Sequence, residues 1–196
     1  MRWAARKNDS YTNKAKKEGY PARSVYKLKE IDVRYKLFKE GDRVLDLGCA
    51  PGSWMMYIAE RIGPKGKVVG IDVQDIKTLL KSNMLFLKTD VENVDFSSGY
   101  LQGKYEAVVS DMAPKTQGIK FRDAGESLFL SQKALEIAKL TLKPGGNFLC
   151  KVFEGEESQR FFKEIAKNFD FIKYFRPKAV RRGSREFYII AKDFHY

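Results

Sequence analysis

From Arg43 onward the chain alternates two hydrophobic periodicities, and this alternation constrains its fold more than any other feature. The runs RVLDLG, KVVGIDV, MLFLKTD, YEAVVSDMA, GNFLCKVF, FIKYFRP and EFYIIAKDF are short, aliphatic and β-branched, as strands are. Between them lie stretches with helical spacing over residues 53–62, 76–81, 125–142 and 158–168. Strands that alternate with helices predict an α/β fold, a mostly parallel sheet of seven strands with helices on both faces. The last two runs are joined only by the basic segment PKAVRRGSR, which predicts an antiparallel hairpin at one edge. Upstream, Val25, Leu28, Ile31, Tyr35 and Phe38 recur at three- and four-residue steps, an amphipathic helix over 24–38. With 196 residues the chain reads as a single domain, a basic arm and helix over 1–39 followed by a core over 40–196.

Charge is distributed unevenly along this frame. Residues 1–39 carry a net +8 and residues 173–185 a net +6, so the rest of a chain of formal charge +12 is slightly acidic. Two concentrated basic segments predict a surface that meets a polyanion, and nucleic acid is the expected partner. Within them Arg23, Lys178, Arg181, Arg182 and Arg185 are the candidate RNA-binding residues, with Tyr11, Tyr20 and Tyr26 as rings able to stack on unpaired bases, although Tyr26 fits core packing better. No run of 18 apolar residues exists and the basic N-terminus lacks the apolar centre of a secretory signal, so a cytoplasmic location is the default expectation. Two cysteines and one histidine supply too few ligands for a metal site, and no metal is expected.

In open α/β sheets ligands bind beyond the carboxyl ends of the strands, where strand order reverses. The first strand runs into DLGCAPGSW, in which Gly48 and Gly52 permit a tight turn and close approach, and Ser53 is a candidate N-cap for the next helix. The loop lacks GxGxxG, so it suits a nucleoside-like ligand without a pyrophosphate. Asp72 stands 24 residues after Gly48, near the offset at which a carboxylate takes ribose hydroxyls. Asp90 ends the third strand and is suited to an exocyclic amine, with Trp54 as a candidate apolar face. Asp111 ends the fourth. Any one of these is more often a turn former or a cap, but acidic residues at successive strand ends beside a glycine loop suit a cofactor that carries both an amine and a sulfonium. Lys151 is the other unusual residue. Bracketed by Phe148, Leu149, Cys150, Val152 and Phe153, it puts a charge at the end of a buried strand, which is costly without a purpose.

DLGCAPGSW, GIDV, TDV and SDMAP, together with GYPARSVYKLKEID and PKAVRRGSREFYIIA, resemble the RrmJ/FtsJ (RlmE) family of ribose 2′-O-methyltransferases over about residues 11–192. The resemblance implies a Rossmann-like methyltransferase fold and S-adenosylmethionine as cofactor, with Gly48, Gly52, Trp54, Asp72, Asp90 and Asp111 at the cofactor. It also implies a catalytic tetrad of Lys27, Asp111, Lys151 and Glu186. The implied activity is 2′-O-methylation of RNA, foremost of a uridine in large-subunit ribosomal RNA. The implied partner is that RNA or the assembling large subunit, met by a monomeric enzyme.

The chemistry requires such a set. A ribose hydroxyl is a poor nucleophile until its proton is removed, and a lysine with a free pKa of roughly 10.4 serves as base only when desolvation or a neighbouring cation lowers it, an effect that Asp111 and Glu186 oppose. The segment from Pro114 to Lys120 reads as a loop able to close over RNA. Two alternatives remain open: a related enzyme acting on a tRNA anticodon loop or another RNA, and an RNA-binding ribosome-assembly factor whose cofactor site is vestigial. An amino-directed DNA enzyme would want an aromatic after Pro-Pro where SDMAP stands, and a C5-pyrimidine enzyme would need a cysteine nucleophile in the cleft.

Overall fold

A computed structural model of the chain describes residues 10–97, 101, 104–114 and 120–196. Seven strands, β1 (Arg43–Leu47), β2 (Lys67–Asp72), β3 (Met84–Lys88), β4 (Tyr105–Ser110), β5 (Leu142–Phe153), β6 (Phe169–Phe175) and β7 (Glu186–Phe194), form one sheet in the order β3-β2-β1-β4-β5-β7-β6. Every pairing is parallel except those of β7, which runs antiparallel to both β5 and β6. The expected edge hairpin is therefore present, with its second strand inserted between the first and the rest of the sheet. Strand order reverses between β1 and β4, and the carboxyl ends on either side of that point carry Gly48, Asp72 and Asp111.

The helices are α1 (Ser10–Lys17), α2 (Val25–Tyr35), α3 (Ser53–Ile62), α4 (Lys120–Thr141) and α5 (Ser158–Ile165). Apolar side chains divide into two clusters, as a sheet covered on both faces requires. On one face Leu28, Ile31, Met55 and Ile58 pack with Val44, Val68 and Val109. On the other Leu135 and Ala138 from α4 and Phe161 and Ile165 from α5 pack with Leu45, Val69 and Phe148.

Two stretches differ from the expectation. Residues 76–81 form no helix; Lys77 donates its backbone N–H to the Pro51 carbonyl (2.9 Å) and Thr78 lies over Gly52, so the segment is spent covering the glycine loop and Leu79 stays exposed. Helix α4 begins at Lys120, five residues before Gly125, and runs through that glycine, whose cost of about 1 kcal/mol a helix of 22 residues absorbs. The basic arm, read only as charge, contains α1, whose Ala15 is buried and whose Tyr11 ring lies 5.5 Å from that of Tyr26.

Helix α2 is fixed to α3 by a buried carboxylate. Asp32 accepts from the backbone of Leu37 (2.9 Å) and Phe38 (3.2 Å) through one oxygen, and from the Tyr57 hydroxyl (2.7 Å) and the Arg61 guanidinium (2.9 Å) through the other. The first pair closes the C-terminus of α2, where Lys36 takes a left-handed conformation, and the second pair ties that end to α3.

A second buried carboxylate has no such partners. Asp46, in the middle of β1, is inaccessible to solvent and neither of its oxygens has a hydrogen-bond partner. Burial, with the nearby charges of Asp111 and Asp72, pushes its carboxyl well above the usual range. The unfolded chain gives up this proton above about pH 4, whereas the folded chain keeps it to much higher pH. The stability it contributes is therefore complete below the unfolded pKa and is lost as pH rises towards the folded one. Measured by urea unfolding of the ligand-free chain from pH 4.5 upward, the parent should lose about 1.4 kcal/mol per pH unit relative to Asp46→Asn until the folded pKa is passed. Parallel curves for the two chains would mean that Asp46 is ionised in the fold.

Candidate active site

Beyond the carboxyl ends of β1 to β4 lies a cavity of about 340 Å³, lined among others by Gly48, Asp72, Asp90, Asp111, Met112 and Leu130. Its wall at Gly48, and the turn at Gly52 that leads into α3, depend on missing side chains. Gly48 has φ 74°, and a Cβ there would fall 2.7 Å from Met112 Cγ and 2.9 Å from the Met112 backbone; Gly52 has φ 102°, and its Cβ would meet Thr78 Cγ2 at 2.6 Å. Gly52 rather than Ser53 occupies the N-cap of α3. Ser53 is the first helical residue instead, and its Oγ accepts from the Ala22 backbone (2.7 Å), which joins the glycine loop to the segment ahead of α2.

Both carboxylates expected at the cofactor line the cavity while also shaping their loops. Asp72 accepts from the backbone of Ala50 and of Gln74, each at 2.8 Å, and Asp90 accepts from Glu92 (3.1 Å) at the start of a short 3-10 turn over Val91–Asn93. The Trp54 ring is placed differently from the expectation. It is buried 6.0 Å from the ring of Tyr188, and its Nε1 donates to the Ser24 carbonyl (3.0 Å), so it joins α3 to α2 and offers the cavity no apolar face. Val73, Val91, Met112 and Leu130 supply the apolar lining.

The four residues of the expected tetrad gather about Asp111, which lines this cavity, with Lys27 and Glu186 lining a neighbouring one. Lys151, on β5, is 6% exposed and donates to Asp111 Oδ1 (3.0 Å) and to the Asp111 carbonyl. Glu186, the first residue of β7, forms an ion pair with Lys27 of α2. Burial alone would raise the pKa of Asp111, but the cations of Lys151 and Lys27 and hydrogen bonds from Tyr188 and Lys151 outweigh it, and the carboxyl is held below its ordinary value. The carbonyl of Lys151 accepts from Ser131 Oγ (2.8 Å), which fixes the strand from the α4 side.

Tyr188 completes the cluster and was not singled out from the sequence. It stands directly opposite Lys151 in the β5–β7 ladder, and its buried hydroxyl donates to Asp111 Oδ1 (2.7 Å). Lys27 Nζ lies 5.8 Å from the centre of its ring. Burial, then the negative charges of Asp111 and Glu186, push its pKa well up, so the phenol stays protonated and serves as a donor. The period-2 alternation that puts Glu186 and Tyr188 on one face of a strand was the signal available for it.

Of the basic residues, Arg181 and Arg182 are exposed and line a second cavity of about 520 Å³, together with Arg23, Lys27, Phe153 and Glu186. Arg23 and Arg185 are committed to main-chain carbonyls, Arg23 to Ala179 (2.6 Å) and Arg185 to Glu154, and so hold the β6–β7 connection in shape. Lys178 has an exposed side chain, and its backbone N–H is accepted by Glu30 of α2 (2.8 Å). Tyr20 and Tyr26 are core residues, contrary to the stacking role considered for Tyr20; the Tyr20 hydroxyl donates to Glu60 (2.8 Å). Cys49 and Cys150 are free and buried, and burial pushes both thiols up, away from nucleophilic use. The loop expected to close over RNA lies outside the described residues over 115–119.

Residues 20–194 match the FtsJ-like methyltransferase family. The Ribosomal RNA large subunit methyltransferase E of Desulfosudis oleivorans is 47% identical over 184 residues, covering 93% of this chain and 88% of the relative. The protein of the same name from Syntrophobacter fumaroxidans is 44% identical, covering 93% of each. Among solved structures, a Plasmodium falciparum protein assigned as a ribosomal RNA methyltransferase superposes with a TM-score of 0.78 at 27% identity, over 89% of this chain and 98% of that one. Aeropyrum pernix fibrillarin, solved with natively bound S-adenosyl-L-methionine, shares the fold at a TM-score of 0.56 and 18% identity, over 86% and 76% of the two chains. A sheet with one inserted antiparallel strand, a glycine-lined cavity rimmed by three carboxylates and a match across nearly the whole chain lead to one conclusion: the chain belongs to the FtsJ-like methyltransferase family, and S-adenosylmethionine is its methyl donor.

Proposed function

We propose that the chain methylates a ribose 2′-hydroxyl in large-subunit ribosomal RNA, foremost at a uridine. The observation that carries this reading is the buried Lys151, held against Asp111 on the rim of the cofactor cavity with the Lys27–Glu186 pair beside it. The names of the relatives from Desulfosudis oleivorans and Syntrophobacter fumaroxidans support the choice of RNA. On the same reading the enzyme is a cytoplasmic monomer, and its substrate is this RNA or the assembling large subunit. Among the described residues no helix is long and apolar enough to cross a membrane.

The glycine loop admits the donor closely, with Gly48 and Gly52 giving the approach; Asp72 and Asp90 take its polar edges, and the start of α3 at Trp54 contributes through its main chain. When bound, S-adenosylmethionine supplies a methyl on a sulfonium, activated for displacement. What the protein must add is a base and an alignment. Lys151 steers the 2′-oxygen and, as the neutral amine left once its own ammonium proton has passed to solvent, accepts the hydroxyl proton. Asp111, which borders both the cofactor cavity and Lys151, orients that nitrogen, and Tyr188 fixes the carboxylate by donating to the same oxygen. Lys27 and Glu186 hold the ribose from the outer side. Arg181 and Arg182 grip flanking phosphates from the loop that Arg23, Lys178 and Arg185 keep in place.

Two outcomes follow. Lys151→Met should lower the single-turnover rate of methyl transfer by roughly 10²–10⁴-fold, the usual weight of a positioned proton acceptor, while calorimetry still detects S-adenosylmethionine binding. A near-normal rate removes Lys151 from the chemistry, and absence of donor binding by the parent chain would favour an assembly factor with a vestigial site. Replacing both Arg181 and Arg182 by Ala should raise KM for RNA and lower the salt dependence of RNA binding by roughly one to two ions, since each lost phosphate contact on a single strand removes about 0.7 from the slope. An unchanged slope would show that neither side chain meets a phosphate.

A further inference from the structure

Phe153 lies two residues beyond Lys151 on β5 and opposite Glu186 of β7, as Lys151 lies opposite Tyr188. Alternation along a strand puts residues 151 and 153 on one face, roughly 7 Å apart. The four therefore form a square, with Lys151 and Tyr188 in the inner row and Phe153 and Glu186 in the outer row, and Lys27 paired to its outer corner. An aromatic at such a corner would normally be drawn into the core. Phe153 instead is half-buried, belongs to neither apolar cluster and, among the described residues, pairs with no other ring.

Two cavities meet at this side chain. The basic one, with Arg23, Arg181 and Arg182, lies on one side. On the other is a cavity of about 510 Å³ with an apolar wall of Ala124, Gly125, Leu128 and Gly155 and a polar one of Glu156, Glu157, Ser158 and Arg185, an apolar face and a polar edge that suit a nucleobase. Gly125 leaves open space where a Cβ would stand, and a Cβ on Gly155 would come within 3.3 Å of the Ala124 methyl, so bulkier side chains on the latter would close the pocket. The backbone beneath Phe153 is held firmly: its N–H donates to Ser127 Oγ (3.1 Å), and the next residue, Glu154, donates to the Arg185 carbonyl (2.9 Å) and accepts from its guanidinium.

We propose that Phe153 is the platform on which the base of the acceptor nucleotide stacks. The two-residue spacing along the strand, roughly 7 Å, is of the order of the span from a ribose hydroxyl to its own base. With the 2′-oxygen at Lys151, the base lies over Phe153, against the apolar wall of Ala124, Gly125 and Leu128, and the flanking phosphates lie in the arginine-lined cavity. Stacking on an aromatic face is tolerant of base identity, so Phe153 secures the geometry of transfer and leaves sequence choice to other contacts. This assignment rests on the proposal that the acceptor is a ribose in RNA.

The test uses a large-subunit ribosomal RNA fragment in which the nucleotide methylated by the parent chain has been located. That nucleotide is then compared with an abasic one that keeps the ribose and its 2′-hydroxyl. For the parent, removal of the base should lower kcat/KM about tenfold or more, the weight of one base on one ring. Phe153→Leu should lose a similar factor on the intact RNA and nothing further on the abasic RNA, Phe153→Tyr should behave as the parent, and both variants should bind S-adenosylmethionine normally by calorimetry. A fluorescent pyrimidine at the acceptor position should be quenched on binding the parent and Phe153→Tyr but not Phe153→Leu. The assignment is overturned if removal of the base costs the parent nothing, if Phe153→Leu is as active as the parent, or if it loses equally on both RNAs. Should Phe153→Leu fail to fold, the parent's response to base removal and its quenching decide the matter. If the parent methylates no ribose in RNA, the underlying proposal fails before any variant is made.

Discussion

The pairing of β5 with β7 is the constraint from which the rest of this site follows. An antiparallel ladder sets residues face to face one pair at a time, and here it sets Lys151 against Tyr188 and Phe153 against Glu186. A slip of β7 by one residue would turn Tyr188 and Glu186 to the opposite face of the sheet from Lys151 and Phe153. The inserted strand thus does more than close an edge: it delivers a phenol and a carboxylate, from a segment far along the chain, to the lysine at the end of β5. Helix α2, held by the contacts of Asp32, brings the remaining ammonium.

The site also shows how differently one fold treats its carboxylates. Asp111 is surrounded by two ammonium groups and a phenol, and these overcome the cost of taking it out of water. Asp46, a short way down the adjacent strand, has none of these and is carried neutral. Asp32 is nearly as buried yet fully occupied by two backbone groups, a hydroxyl and a guanidinium. The surroundings, not the residue type, decide which of the three can attract a cation, which is stored as an acid and which serves as a bracket.

Much of this was legible in the sequence because the signals were local. Strand runs and helix periodicities need only their own residues, and acidic strand ends fall where the topology puts ligands. The grouping of Lys27, Asp111, Lys151 and Glu186 was legible only through resemblance, since no local pattern relates Lys27 to Glu186. What escaped were roles set by distant partners. Trp54 looked like an adenine platform because it follows a glycine loop, and only the carbonyl of Ser24 and the ring of Tyr188 turn it into the core. The apolar spacing over 76–81 looked like a helix because Ile76, Leu79 and Leu80 recur at helical steps; the segment's actual work is to cover Gly52. Arg23 and Arg185 looked like phosphate contacts, and the charge that suggested it is real, but carbonyls within the fold claim part of their hydrogen bonding.

Those carbonyl contacts bear on how recognition and turnover are related. The β6–β7 connection is tied through Arg23 to the segment that begins α2 and through Glu30 to α2 itself, the helix that carries Lys27. The basic connection and the helix that carries the Lys27 ammonium are therefore joined directly, at two points. Under the proposed function, phosphates gripped by Arg181 and Arg182 would thus be placed relative to the helix that presents Lys27, not merely to the surface around it.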